Sequence, residues 1–341
     1  MGARIAIYGA TGQVGTVMRQ LLVDRNFPVD EIRFLASARS AGKRLPWKDG
    51  EVEVEDAWSA DHSGIDIALF SVGKDASKEL APQVVAAGAT VVDNSAAFRM
   101  DPNSPLLVAG VNDHALESIP NGIVANPNCT TMAAMAPLQA LHREAGLKAL
   151  VVSTYQAVSG AGTSGPPELL EQTLAAGEKA AELTFDGEAI DFPAPSQFST
   201  TIAYNVIPSA GGLDEATNET SEELKLRHET RKILDIPQLP VSATCVRVPV
   251  FTGHSLSINA SFERTITPER ATEILSATDQ VVLTEVPTPL MAAGKDPSYV
   301  GRIRRDETVE NGIAFFVSND NLRKGAALNA VQIAELLVQK L

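Results

Sequence analysis

The chain has 341 residues, 44% of them hydrophobic and 21% charged. Asp plus Glu number 42 against 28 Lys plus Arg, a formal net charge of −14. This composition excludes a disordered chain, and the acidity argues against broad binding to nucleic acid or anionic membrane.

At roughly 150 residues per domain, the length predicts two domains, each able to bury a core. Cys129 and Cys245 are the only cysteines. They cannot build a disulfide framework, which fits a reducing cytoplasm. The apolar stretch after Arg4 stops at Tyr8, too short for a signal peptide, and no run approaches the ~18 residues of a spanning helix. No histidine–cysteine spacing resembles a zinc site, so no metal is expected.

In chain order, residues 4–8 read as a short buried strand, and Gly9-Ala-Thr-Gly12-Gln-Val-Gly15 follows at once. Val14, Val17, Met18, Leu21 and Leu22 then share one face of a helix over 14–23. Strand, glycine turn and helix are the context of a dinucleotide-binding turn. Glycines let a pyrophosphate approach the backbone, and the helix start offers unpaired N–H groups. The spacing is G-x-x-G-x-x-G rather than G-x-G-x-x-G, and a tight turn without ligand is the alternative.

The next strand, over 32–36, leads into Ser37-Ala-Arg39-Ser40. An arginine here accommodates a 2′-phosphate, whereas NAD-binding sheets often carry an acidic residue. Arg39 therefore favours NADP over NAD, with a solvated loop arginine as the alternative. Apolar runs at 65–72, 90–92 and Ile123–Ala125, separated by helical stretches such as 76–87, predict an α/β fold with a mostly parallel, doubly wound, Rossmann-type sheet.

Asn126-Pro127-Asn128-Cys129-Thr130-Thr131 comes next, and a helix runs from it to about residue 144 with Met132, Met135, Leu138 and Leu141 on its inner stripe. Cys129 thus stands on a first helical turn, where the dipole and free N–H groups favour thiolate. That position suits a covalent nucleophile. A small buried hydrophobe is the bland reading. Among five histidines His254 differs: it follows a β-rich run, 246–253, broken by Gly253, and precedes a strand over 255–260. It reads either as a cleft histidine or as a satisfied structural one. Arg247 lies seven residues earlier, so the two converge only if the strand bends.

The resemblance is carried by a series of motifs. They are Gly9-Ala-Thr-Gly12-Gln-Val-Gly15, Pro127-Asn128-Cys129-Thr130, Gln156-Ala-Val-Ser159-Gly160-Ala-Gly162, Ile202-Ala-Tyr-Asn205-Val-Ile-Pro208, Arg247-Val-Pro-Val-Phe-Thr-Gly-His254-Ser255, Val300-Gly-Arg-Ile-Arg304 and Asp320-Asn321-Leu-Arg-Lys-Gly325. In this order, over nearly the whole chain, the pattern resembles the aspartate-semialdehyde dehydrogenases of the bacterial short form. Before Val111-Asn112 the chain carries Ala109-Gly110 where the family commonly has Pro-Glu, in a segment read as structural.

The resemblance implies NADPH-dependent reductive dephosphorylation of L-aspartyl-β-phosphate to L-aspartate-β-semialdehyde and phosphate, in the biosynthesis of lysine, methionine, threonine and isoleucine. Cys129 would be the acyl-thioester nucleophile, His254 the general acid/base, and Gln156 the residue that positions the acyl centre. In the chemistry this calls for, His254 as an imidazolium can protonate the developing oxyanion. Arg99 and Lys225 would bind phosphate, Arg247 the α-carboxylate and Glu222 the ammonium. These pairings give each charged group of the substrate a complement, and with Arg39 they form the cationic cluster that an acidic chain needs for an anionic ligand. Gly9, Thr11, Gly12, Gln13, Val14, Gly15, Arg39, Ser40, Ser159, Gly160 and Asn321 match the cofactor positions.

The expected organisation is an NADP-binding domain over 1–127, completed by a C-terminal helix over 320–341, and an α+β catalytic and dimerisation domain over 128–319. Its strands are expected at 149–156, 241–250, 255–262 and 313–317. The family implies a homodimer. Two other readings stand beside this one. N-acetyl-glutamyl-phosphate reductase, or another acyl-phosphate reductase, shares the chemistry, and an acetylated amine needs no Glu222 partner. A non-catalytic NADPH-binding redox sensor needs no Arg99, Lys225 and Arg247 together.

Overall fold

A computed structural model describes residues 2–340. Met1 and Leu341, the outer ends of the expected domains, lie outside the described residues. The chain divides into two compact units. The first runs to Gln139 and includes His228–Gln238 and the segment from Leu322 onward; the second comprises Ala140–Arg227 and Leu239–Asn321.

The first unit is built on seven strands: β1 (Ala3–Tyr8), β2 (Val29–Ala36), β3 (Arg44–Trp47), β4 (Gly50–Asp56), β5 (Ile67–Phe70), β6 (Thr90–Asp93) and β7 (Ile123–Ala125). Their spatial order is β3-β4-β2-β1-β5-β6-β7, parallel throughout except for the β3–β4 hairpin. Successive residues of β1 feed two different cores. Ile5 and Ile7 join Phe34, Ile67 and Leu69 beneath α1 (Gln13–Asp24), through Met18, Leu21 and Leu22. Ala6 and Tyr8 join Leu35, Ala68 and Phe70 beneath α2 (Lys74–Ala86), through Leu80, Ala81 and Val84. A parallel sheet covered on both faces reads in sequence as unbroken apolar runs, which is why these strands were legible. The β3–β4 hairpin was not: it lies at the sheet edge and is largely exposed, so it carries no such run. Because β1 lies between β2 and β5, the order reverses at its C-terminal end, the position where open α/β sheets bind ligands. α3 (Cys129–Ala145) begins four residues after β7.

The second unit holds β8 (Leu147–Gln156), α4 (Gly165–Ala176), the two-residue strands β9 (Leu213–Asp214) and β10 (Glu219–Thr220), α5 (Ser221–Ile233), β11 (Val241–Arg247), β12 (His254–Phe262), α6 (Pro268–Ser276), β13 (Val281–Leu283), α7 (Pro289–Ala292), β14 (Ser298–Asp306) and β15 (Gly312–Asn319). The last turns of α5 group with the first unit. Six of the strands form a mixed sheet ordered β11-β8-β12-β15-β14-β13. Along β8, Leu150, Val152, Thr154 and Gln156 are buried, while Val151 and Tyr155 are exposed. One face is therefore covered and the other is open. The strand expected over 241–250 ends at Arg247, after which the chain leaves the sheet. α5 starts with a capping box, in which Glu223 Oε2 accepts the Thr220 N–H at 2.6 Å and Thr220 Oγ1 accepts the Glu223 N–H at 3.4 Å.

The final helix, α8 (Leu328–Val338), belongs to the first unit. Its Val331, Ile333 and Leu337 enter the same core as Ile5, Ile7 and Leu21. Among the described residues, no helix is long and apolar enough to cross a membrane.

Candidate active site

At the C-terminal end of β1 the chain turns through two glycines that nothing larger can replace. Gly9 has φ +81°, and a Cβ there would lie 2.1 Å from the Ser71 carbonyl oxygen; a Cβ on Gly15 would lie 2.2 Å from the Gly9 oxygen. Gly12 stands at the start of α1 without a side-chain cap, and the first turn of that helix carries no acidic residue. Its free N–H groups and positive dipole end are thus left for an anion, which is what a cofactor pyrophosphate requires. Thr11 is exposed, and Gln13 and Val14 are half-buried. Arg39 stands exposed in a 3₁₀ turn, Ala38–Ser40, just past β2, with no ion pair among the described residues; Ser40 beside it is half-buried.

Cys129 is the first residue of α3 and is half-buried. Asn128 caps that helix: its Oδ1 accepts the N–H groups of Thr130 at 3.0 Å and Thr131 at 3.4 Å. Gly325 lies against the cysteine, so closely that a Cβ there would sit 2.9 Å from Cys129 Cβ. Arg99 is buried in the same unit, and each of its three nitrogens donates to protein oxygen. Nε reaches Asn126 O at 2.9 Å, one terminal nitrogen reaches Asn94 O at 2.8 Å, and the other meets Glu229 Oε1 at 3.0 Å. Two of its five N–H groups remain for a ligand. Cys245, by contrast, is fully buried, and burial pushes its thiol up to about 12, the profile of an inert cysteine.

The second unit gathers the remaining polar residues at one end of its sheet. Gln156 and Arg247 are register partners at the C-terminal ends of the parallel strands β8 and β11. His254 opens β12, which lies on the other side of β8. Arg247 and His254 therefore flank Gln156 from opposite sides, which a single bent strand would not have achieved. Glu222, on the first turn of α5, accepts from Gln156 Nε2 at 3.2 Å and from Lys225 Nζ at 2.7 Å. The carboxylate assigned to the substrate ammonium thus already meets two donors, and Lys225 keeps about a third of its side chain exposed (32%).

Ala157 holds the other two heads. Its carbonyl accepts from Arg247 Nη1 at 3.0 Å, and its N–H donates to His254 Nδ1 at 3.0 Å. Gly160 leaves the space between them open: a Cβ there would fall 2.7 Å from Arg247 Nη1 and 2.8 Å from His254 Nε2. His254 is fully buried, and its Nε2 has no protein partner among the described residues. Since Nδ1 accepts a hydrogen bond, the neutral ring carries its proton on Nε2. Burial and the nearby Arg247 cation lower its pKa to about 3, with Glu222 opposing. In the free protein His254 is therefore a neutral N–H donor rather than the imidazolium expected for proton donation.

Ser159 and Asn321 meet in the same unit. Asn321 Nδ2 donates to Ser159 Oγ at 2.9 Å, and Asn321 Oδ1 accepts the Gly253 N–H at 2.8 Å. Among the described residues no group of three His, Cys, Asp or Glu side chains is placed to hold a metal. Ala157, Asn128 and Gly325 escaped selection from the sequence as site residues. The first acts through its backbone and the last through the side chain it lacks. Only Asn128, a capping residue just before an apolar helix, carried a readable signal.

A family model described as "Semialdehyde dehydrogenase, NAD binding domain" matches residues 4–119, and one described as "Semialdehyde dehydrogenase, dimerisation domain" matches residues 138–324. By class the protein is a semialdehyde dehydrogenase that binds a nicotinamide cofactor. Over 339 residues it is 62% identical to the aspartate-semialdehyde dehydrogenase of Streptomyces akiyoshiensis, covering 99% of both chains. It is 56% identical to that of Corynebacterium glutamicum, covering 98% of this chain and 99% of the relative. The crystal structure of aspartate semialdehyde dehydrogenase II of Vibrio cholerae complexed with ASA matches with a TM-score of 0.93 at 40% identity, covering 99% of each chain. The chain belongs to the aspartate-semialdehyde dehydrogenase family.

Proposed function

We propose that this chain catalyses the NADPH-dependent reductive dephosphorylation of L-aspartyl-β-phosphate to L-aspartate-β-semialdehyde and phosphate, a step in the biosynthesis of lysine, methionine, threonine and isoleucine. The observation that carries the reading is Cys129 on the capped first turn of α3, in a chain 62% identical to a named aspartate-semialdehyde dehydrogenase. The helix start stabilises the thiolate, which attacks the acyl phosphate. The carbon–oxygen bond to phosphate breaks and a thioester forms on Cys129. When bound, NADPH supplies the hydride that reduces this thioester. The oxyanion then collapses to aldehyde and expels the Cys129 thiolate.

In this reading His254 works without losing its proton: Nε2–H donates a hydrogen bond to the acyl oxygen as negative charge grows there. Collapse of the oxyanion onto a thiolate leaving group needs no added proton, so a neutral histidine is sufficient. Gln156 orients the acyl group, Arg247 takes the α-carboxylate in a bidentate grip, and Glu222 takes the ammonium. Arg99, through its two remaining N–H groups, and Lys225 take the phosphate. Gly9, Gly12 and Gly15 with the start of α1 hold the pyrophosphate, Thr11, Gln13 and Val14 border it, and Arg39 and Ser40 hold the 2′-phosphate that distinguishes NADP. Ser159, Gly160 and Asn321 shape the nicotinamide side.

The domain assignment that goes with this reading gives cofactor binding to residues 1–127 with 320–341, and catalysis and dimerisation to 128–319. The protein acts as a cytoplasmic homodimer. The open face of the six-stranded sheet, with Val151 and Tyr155 exposed, supports that pairing.

The test is the reverse reaction. Purified protein is mixed with L-aspartate-β-semialdehyde, phosphate and NADP, and reduced nicotinamide is followed by absorbance. Phosphate-dependent NADPH formation, lost in Cys129→Ala, is the expected result. No signal while NADP still binds, with turnover of N-acetyl-glutamate semialdehyde instead, overturns the substrate.

A further inference from the structure

The residues before Cys129 are gripped by a buried carboxylate that the proposed reaction does not use. Glu229, on the last turns of α5, is 1% exposed. Its Oε2 accepts the N–H of Asn128 at 2.6 Å, and its Oε1 accepts from Arg99 Nη1 at 3.0 Å. Arg99 Nε in turn holds Asn126 O at 2.9 Å. Carboxylate and guanidinium together clasp both ends of Asn126-Pro127-Asn128, the three residues that lead into the nucleophile. Three residues along α5 from Glu229, Lys232 Nζ donates to the carbonyls of Arg99, Asp101 and Ser104 at 2.9, 2.8 and 2.9 Å. The helix thus fixes the Arg99 loop from a second point.

Two consequences follow from the charges. A carboxylate bonded to the peptide N–H beside Cys129 opposes ionisation of its thiol, offsetting part of the helix-start effect. The same carboxylate cancels the charge of Arg99, so an anion arriving there meets a guanidinium that is already half satisfied. We propose that Glu229 is a positioning residue: it sets the backbone from which Cys129 reacts, and it moderates both the acidity of that thiol and the pull of Arg99 on phosphate. The phosphate half of this inference rests on the function proposed above; the thiol half does not.

The experiment uses the full-length chain with Glu229→Gln. Iodoacetamide modification of Cys129 is followed against pH in the free protein, and kcat and KM for inorganic phosphate are measured in the reverse reaction. Loss of the carboxylate is expected to move the alkylation midpoint down by about half a pH unit or more. It should also lower KM for phosphate several-fold while kcat falls about tenfold or more, because the loosened segment misplaces the thiol. A merely structural residue would not tighten KM for phosphate while kcat falls. An unchanged alkylation midpoint in protein that still binds NADP overturns the proposal. Should Glu229→Gln fail to fold, Glu229→Asp retains the charge on a shorter arm. Its midpoint should stay put while kcat falls, and wild-type kcat in that variant overturns the proposal. A wild-type protein without phosphate-dependent turnover would refute the proposed reaction and leave the alkylation result to judge Glu229 alone.

Discussion

The backbone N–H of Ala157 donates to His254 Nδ1 at 3.0 Å, and this one bond decides which proton the histidine keeps. Protonating Nδ1 would set two donors against each other inside a buried site, on top of the cost of burying a cation beside Arg247.

Nitrogen NMR of the histidine ring should therefore show an Nε2–H tautomer throughout pH about 5 to 8, where a free histidine titrates. A ring that charges with a midpoint near 6.5 would refute this. The same shift links to stability. The folded pKa lies below the unfolded one, so the unfolded chain binds the extra proton first. The contribution is full above the unfolded value, 6.5, and is lost as pH falls toward about 3. Denaturant unfolding of His254→Gln should show a shallower loss of stability across that acid window than the parent chain.

Cys129→Ala is expected to lower turnover at least about ten-thousand-fold, the scale seen when a nucleophile that acts as part of a unit is removed. Cys245→Ala should leave turnover within a factor of about two, since that thiol is buried and pushed up to about 12. Steady-state rates of the two variants side by side check the assignment of the nucleophile.

Gly325→Ala puts a methyl group 2.9 Å from Cys129 Cβ. Either the cysteine or the segment around Gly325 must shift by a fraction of an ångström to an ångström. Displacement on that scale is expected to cost about a hundredfold in kcat. Cofactor affinity, measured by fluorescence quenching, should stay near the parent value. Loss of both together would mean that the segment had unfolded.

Arg39→Ala should raise KM for NADP by about 10- to 100-fold, the worth of one charge-assisted bond to phosphate, and leave KM for NAD nearly unchanged. The ratio of the two constants is the readout. A variant that keeps its ratio would remove Arg39 from the 2′-phosphate site.

The parts of the molecule that were legible in the sequence share a physical cause. β1, β2, β5, β6 and β7 feed the cores on the two faces of their sheet and read as apolar runs, and α1 buries one stripe and reads by helical period. α3 also read by helical period, but it is buried on every side over 130–138, so the stripe through Met132, Met135 and Leu138 is only part of its covered surface. The β3–β4 hairpin was missed because Val54 is its one buried residue, and uncovered positions are not constrained to be apolar; β14 was missed because its buried positions include Ser298, Gly301 and Asp306, and Arg302, Arg304 and Arg305 are exposed, so it carries no apolar run. Arg247 and His254 were recognised one by one, but their flanking of Gln156 was not. It depends on strand order in a sheet, which no local pattern encodes. The tautomer of His254 is set by a peptide group, and an alanine in the sequence says nothing about its own N–H. Glu229 reads as one more charge on a charged helix, and only the packed chain shows that it faces inward.

The last helix has a temporal meaning as well as a structural one. α8 supplies Val331, Ile333 and Leu337 to a core whose other walls are β1 and α1, made some three hundred residues earlier. During synthesis the sheet around β1 emerges with one flank bare and stays so until α8 has been made and clears the ribosome. Loss of α8 would strike first at β1 and α1, which leave the ribosome long before it.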